Sequence, residues 1–299
     1  MRCKMTSATQ IKSILLAFRP KTLTAALVPC VAGTALVKAI GLSWDGWVLF
    51  YALMASFLIQ IGTNLVNDAV DFKKGADTEK RIGPQRITQA GILTANQVML
   101  LGSLCFALAV LCGVPLVLKG GWVIVAIGVA SVLMGYSYTA GPFPLAYLGL
   151  GDLFVIIFFG LLAVTGIVFL NTGEWLTEAF VLGLQIGLHA TVLIAINNLR
   201  DHGGDRLVNK KTLAVRFGVQ FSRWEIAALA FLPFVLNLYW WFEGYKIAAI
   251  VSMFALPLAV KITKNVFATE PSPAYNKFLG QAAGLHLLFG LLIAIGFAF

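Results

Sequence analysis

The sequence predicts an all-α integral membrane protein, a bundle of nine transmembrane helices with the N-terminus inside and the C-terminus outside. Three observations carry this prediction. Of the residues, 59% are apolar and only 12% are charged, where a soluble domain carries about 25% charged residues. The charges sit in short islands between apolar runs of roughly 17–22 residues, the length that crosses a bilayer as a helix. Once the runs are counted, nearly all the basic residues fall on one side. The ten-residue alternation of an outer-membrane barrel is absent.

The first 21 residues are polar and basic, and no small-residue cleavage site follows them. The first apolar run is therefore expected to stay as a helix. Nine spans are expected, at about 22–40, 47–66, 97–118, 121–138, 150–170, 178–198, 225–242, 246–262 and 279–298. Pro29, Pro233 and Pro257 lie inside spans and are expected to kink them, the freed carbonyls being satisfied by neighbouring helices or polar groups. Trp44, Trp47, Trp122, Trp175, Trp240 and Trp241 gather near the outer ends and read as an interfacial belt. Cys3, Cys30, Cys105 and Cys112 have neither metal-ligand spacing nor a secreted disulfide pattern. His189 and His286, each alone in a span, read as hydrogen-bonded packing residues.

Orientation follows from the Lys and Arg bias. With nine spans and the N-terminus inside, the inner segments are the tail and the loops after spans two, four, six and eight. They hold all of the 22 basic residues except Lys38, Lys119 and Lys246. The whole chain, 1–299, reads as one domain, with a cytoplasmic tail (1–21) and two long cytoplasmic loops (67–96 and 199–224). The net charge of +9 fits positive-inside topology and attraction to anionic lipid. It does not account for acids gathered among the bases in those two loops.

The first cluster is Asn64, Asn67, Asp68, Asp71 and Asp77; the second is Asn197, Asn198, Asp201 and Asp205. If helix two continues past Asn67, then Asn64, Asp68 and Asp71 share a face at i, i+4 and i+7. Asn197, Asp201 and Asp205 are spaced i, i+4, i+8. Carboxylates this close repel unless a cation sits among them. A single aspartate at a helix end reads equally as a cap or a solvated loop residue. Two such clusters on one membrane face point to a shared site of hard oxygen ligands. Mg²⁺ suits such a site, because it takes one or two carboxylates and completes its shell with water and phosphate oxygens. Lys73, Lys74, Arg81, Arg86, Lys210 and Lys211 stand nearby for the same phosphates.

In these motifs the chain resembles the UbiA superfamily of intramembrane prenyltransferases, and within it the MenA branch acting on 1,4-dihydroxy-2-naphthoate. The resemblance rests on Arg19-Pro-Lys-Thr-Leu23, Asn67–Asp77, Arg81–Arg86, Tyr136–Leu145, Tyr147–Asp152, Asn197–Asp205 and Asn209–Gly218, in that order and spacing. It implies a bundle around a central cavity, Mg²⁺, a polyprenyl diphosphate donor and a naphthoate acceptor, within membrane lipid and without nucleic acid. Transfer of the prenyl group with loss of CO₂ and diphosphate would give demethylmenaquinone. Another acceptor, such as 4-hydroxybenzoate, is the alternative within the family; a secondary transporter is the alternative outside it. The setting implied is the bacterial inner membrane, with the site facing the cytoplasm.

Carried over by position, Asn67, Asp68 and Asp71 form one metal–diphosphate motif, and Asp201 with Asp205 the other. Asp77 sits two residues past the superfamily's third Asp, where this chain has Gly75. Many members carry Lys four residues after a Tyr at the end of span four; here Tyr136 is followed by Ala140. Tyr136 and Tyr138 are candidates to shield an allylic cation. Arg19, Lys21 and Arg86 are candidates for the acceptor's carboxylate. Asp152 is a candidate to orient a naphthol hydroxyl or, equally, an N-cap. Asp68→Ala and Asp201→Ala are expected to abolish turnover without unfolding the protein, since these groups should be solvated or metal-bound.

Overall fold

The structure, a computed structural model, describes residues 17–75, 82–83 and 86–299; Asp77 and Arg81 lie outside this set. Among the described residues eight helices are long and apolar enough to cross a membrane. They are α1 (Pro20–Ala39), α2 (Gly46–Lys73), α3 (Ala95–Ser137), α4 (Gly151–Thr172), α5 (Thr177–Leu207), α6 (Leu213–Phe242), α7 (Lys246–Ala268) and α8 (Tyr275–Gly296).

The third and fourth expected spans both fall in α3. At Gly121 its backbone leaves the helical region (φ 65°, ψ −152°), a conformation open essentially to glycine alone. The two arms then fold back on each other, so that Gly135 of the second arm lies against Phe106 of the first and Thr63 of α2.

Two expected loops are in part helical. α2 runs on to Lys73 and α5 to Leu207, so residues 67–73 and 199–207 are the last turns of helices. Asp68, Asp71, Lys73 and Asp201 find partners within the protein and need not leave the helix to be satisfied. α6 also starts earlier than the expected 225, at Leu213, where the Thr212 hydroxyl accepts from the Val215 N–H at 3.3 Å. Arg216 and Arg223 lower the hydropathy of this first stretch and hide it from a span search.

α5 is the innermost helix. Its Leu182, Ile186, Ile196 and Leu199 are fully buried and pack in one core with Ile226 of α6 and Leu285 and Phe289 of α8. Apolar contact alone does not drive helices together in lipid, so close packing of small residues and polar links do that work. A π-turn at Ile156–Leu161 sets Gly160 of α4 against Gly183 and Gly187 of α5, where any β-carbon would meet backbone. Gln185 donates to the Pro233 carbonyl (2.7 Å) and to Asn237 (2.9 Å), and accepts from Trp240 Nε1 (2.7 Å).

Trp240 is therefore a core residue, fully buried, and not part of the interfacial belt; the other five are exposed. Its position near a span end suits a belt, but Gln185 offers it a buried partner instead. His189 and His286 are buried with Nε2 on backbone carbonyls, those of Ala230 (3.1 Å) and Thr24 (3.2 Å). Both are packing residues, as expected. α2 and α3 carry only small core clusters, while α4 adds Val164 and Val168 to the main core. Between them and α5 lies a cavity.

Candidate active site

The cavity has a volume of about 1870 Å³, above the roughly 300–1,000 Å³ of ordinary ligand pockets. Its long wall is apolar, with Val132, Phe158 and Ile167 along it and Leu116, Ile124 and Leu170 deep inside. One end is polar, and there Asn64, Asn67, Asp68 and Asp71 of α2 and Asn197, Asn198, Asp201 and Asp205 of α5 line the same space. The i, i+4 spacing puts each group on one helix face, and the packing turns both faces inward. The two motifs thus meet in one cavity wall.

At the end of α2 both aspartates are buried and hydrogen-bonded. Asp71 accepts from Arg86 at 3.0 Å on Oδ2 and from the Tyr147 hydroxyl at 3.0 Å on Oδ1. Asp68 accepts from the Ile87 N–H at 3.2 Å and closely from the Thr88 hydroxyl. Arg86 also donates to the Asn67 carbonyl at 3.0 Å. Residues 86–88 are thereby strapped onto the helix end. Tyr147 lies between spans; burial, then the charge of Asp71, raises its pKa, so the phenol stays protonated and donates. Asp68 is 3% exposed and held by Ile87 and Thr88, so it is not the solvated group the sequence leads one to expect.

At the end of α5 the carboxylates are held differently. Arg200 grips Asp201 through two hydrogen bonds, at 2.8 and 2.7 Å, and also donates to Asn197 (2.7 Å) and Asn276 (2.6 Å). Asn276, at the start of α8, donates to the Ile82 carbonyl at 3.2 Å. Asp205 pairs with Lys210 at 3.4 Å. Among the described residues its Oδ2 is buried without a hydrogen-bond partner, as is Asn67 Oδ1.

Of the predicted basic residues, Arg19, Lys21, Arg86 and Lys210 line the cavity and Lys73, Lys74 and Lys211 do not. Lys73 is exposed and donates to Asn96 at 2.9 Å. Lys74 donates to the Thr139 carbonyl at 3.1 Å and sits 4.0 Å over the Tyr147 ring. Lys211 is exposed, and its backbone N–H donates to the Tyr147 carbonyl at 3.0 Å. Asn64 uses its amide to hold the Phe18 carbonyl (3.2 Å) and the Thr22 hydroxyl (3.1 Å), which seats the segment bearing Arg19 and Lys21.

Tyr138 lines the cavity beside Phe154 and Phe158. Tyr136 is 41% exposed and outside the wall, because residues two apart on a helix point about 200° apart. Asp152 is buried but outside the wall, and its Oδ1 has no hydrogen-bond partner among the described residues. It is not the N-cap of its helix, a place taken by Leu150.

Tyr147, Thr88, Arg200 and Asn276 had no role on sequence grounds. A signal existed for two of them. Arg200 stands between Asn197 and Asp201, and Tyr147 lies in a predicted inner loop and in a quoted motif. Thr88 and Asn276 carry none.

The donor set fits a hard divalent cation. The cavity end offers carboxylate and amide oxygens, two of them buried and without a hydrogen-bond partner among the described residues. Mg²⁺ takes few protein ligands and completes its shell with substrate oxygens and water.

Residues 26–295 match the UbiA prenyltransferase family. The chain is 34% identical to the 1,4-dihydroxy-2-naphthoate octaprenyltransferase of Escherichia coli, covering 93% of this chain and 92% of the relative. It is 32% identical to the protein of that name in Haemophilus influenzae, covering 93% of each. A UbiA homologue from Archaeoglobus fulgidus, solved with DMAPP and Mg²⁺, shares the fold with a TM-score of 0.61 at 14% identity. The match covers 95% of this chain and 99% of that one. The apo UbiA homologue from Aeropyrum pernix K1 gives a TM-score of 0.66, also at 14% identity, over 92% of this chain and 96% of its own. The chain is an integral membrane protein and belongs to the UbiA prenyltransferase family.

Proposed function

We propose that the protein transfers a polyprenyl group from polyprenyl diphosphate to 1,4-dihydroxy-2-naphthoate. The observation that carries this reading is one cavity with two acidic helix ends and basic side chains at its mouth and an apolar wall running inward. That polarity gradient matches a ligand with a diphosphate head and a hydrocarbon tail. The names of the relatives supply the acceptor.

In the reaction the allylic C–O bond to diphosphate breaks and a C–C bond forms at the ring carbon bearing the carboxylate. The carboxylate then leaves as CO₂, its bonding pair restoring the aromatic ring. The product is the prenylated naphthoquinol, the reduced form of demethylmenaquinone. Asn67, Asp68, Asp71, Asp201 and Asp205 would hold Mg²⁺ at the polar end of the cavity. When bound there, Mg²⁺ offsets the negative charge of the diphosphate leaving group. Arg86 and Lys210 add fixed positive charge at the same end. The ring faces of Tyr138, Phe154 and Phe158 shield positive charge on the allylic carbon and exclude water. Arg19 and Lys21, seated by Asn64, offer cations to the acceptor's carboxylate. The one-sided basic residues orient the mouth towards the cytoplasm of a bacterial inner membrane.

The test is turnover by the purified protein in liposomes with polyprenyl diphosphate and carboxyl-labelled 1,4-dihydroxy-2-naphthoate. Labelled CO₂ and diphosphate are expected in equal amounts, lost on chelation and restored by Mg²⁺. Solute uptake without condensation would overturn the reading.

A further inference from the structure

Tyr147 is the residue at which the two acidic helix ends are tied together. Its hydroxyl donates to Asp71 Oδ1 at 3.0 Å, while Arg86 takes Oδ2. Its ring lies under the Lys74 ammonium at 4.0 Å and 5.9 Å from that of Lys210. Its carbonyl accepts from the Lys211 N–H at 3.0 Å. One side chain and its peptide thus touch the end of α2 (Asp71, Lys74) and the segment after α5 (Lys210, Lys211). Lys210 in turn contacts Asp205. The residue is itself held: it lies in the single helical turn Leu145–Leu148, whose end Arg216 fixes by donating to the Leu148 carbonyl at 2.8 Å. Yet Tyr147 does not line the cavity, so it does not meet a ligand there.

We infer that Tyr147 is a positioning residue that sets Asp71, Lys74 and Lys210 against one another, and through them the affinity of the site for diphosphate. The inference rests on the proposed function. A hydroxyl on a carboxylate fixes which oxygen faces the cavity. A ring under two ammonium groups lowers their mutual repulsion and holds them near the mouth.

The hydroxyl and the ring act separately, and two variants separate them. Tyr147→Phe keeps the ring and removes the donor. The KM for polyprenyl diphosphate is expected to rise about five- to tenfold, with the KM for the aromatic acceptor unchanged. Tyr147→Leu removes both, and a rise of about thirty- to hundredfold is expected. A second readout is independent of turnover: the thermal shift of the full chain in detergent on titration with inorganic pyrophosphate and Mg²⁺. The ligand-free midpoint of Tyr147→Phe should fall only slightly, because Asp71 keeps Arg86 and lines the cavity, while its pyrophosphate titration moves to higher concentration. An unchanged titration and an unchanged KM in Tyr147→Phe would overturn the inference and leave the proposed function standing. So would a lowered ligand-free midpoint with normal KM, which marks a packing role only. A wild type that neither turns over nor shifts with pyrophosphate would overturn the proposed function itself.

Discussion

At the end of α2, Asp68 and Asp71 are buried and take their hydrogen bonds from far along the chain: Thr88, Ile87, Arg86 and Tyr147. At the end of α5, Asp201 is gripped by its own neighbour Arg200, and Asp205 keeps one buried oxygen without a partner among the described residues. The two ends look alike in sequence, each an amide followed by two carboxylates at helical spacing. They differ in what holds them. The first is part of the tertiary structure and strands buried donors if it is cut. The second is braced chiefly by Arg200, itself tied to Asn276 of α8, and leaves one Asp205 oxygen without a hydrogen-bond partner among the described residues. Substitution at the first end should therefore damage fold and turnover together, and at the second turnover alone.

The largest effect is expected for Asp71→Ala. Turnover should fall about a thousandfold, and stability by about 3 kcal/mol, because the buried Arg86–Asp71 pair is broken. Assays and thermal denaturation in detergent check both. Asp205→Ala should lower turnover about a hundredfold while the denaturation midpoint stays level or rises, since a buried unsatisfied oxygen is removed. A marked loss of stability in this variant would erase the contrast between the ends. Thr88→Val removes the hydroxyl that holds Asp68; a roughly tenfold rise in KM for the diphosphate substrate is expected, read from initial rates. The smallest effect is that of Lys73→Met, because Lys73 is exposed and turned to Asn96. Its turnover should stay within about twofold of the wild type. A large loss there would show that the cavity mouth extends further than its wall residues indicate.

Much of this was legible in the sequence, for physical reasons that can be stated. Hydropathy located the helices because a bilayer demands long apolar runs. The helical period of 3.6 put Asp68 and Asp71 on one face, and Asp201 and Asp205 on another. The Lys and Arg bias put both on one side. What stayed hidden is contact between distant segments. Tyr147 and Asp71 are 76 residues apart, and no periodicity links them. Lys73 and Lys74 look equivalent by sequence, yet one turns to Asn96 and the other to the Tyr147 ring. The expected spans end at 66 and 198, short of the helix ends, because polar residues mimic a loop when their buried partners lie elsewhere in the chain. Trp240 departs from the expected belt for the same reason, since its partner Gln185 lies on another helix.

The most direct test is mass spectrometry of the product formed from one polyprenyl diphosphate and an equimolar mixture of 1,4-dihydroxy-2-naphthoate and 4-hydroxybenzoate, with Mg²⁺. The predicted product carries the prenyl group on the naphthoquinol ring and lacks the carboxyl group. A prenylated hydroxybenzoate that retains its carboxylate, or no condensation product at all, would contradict the account.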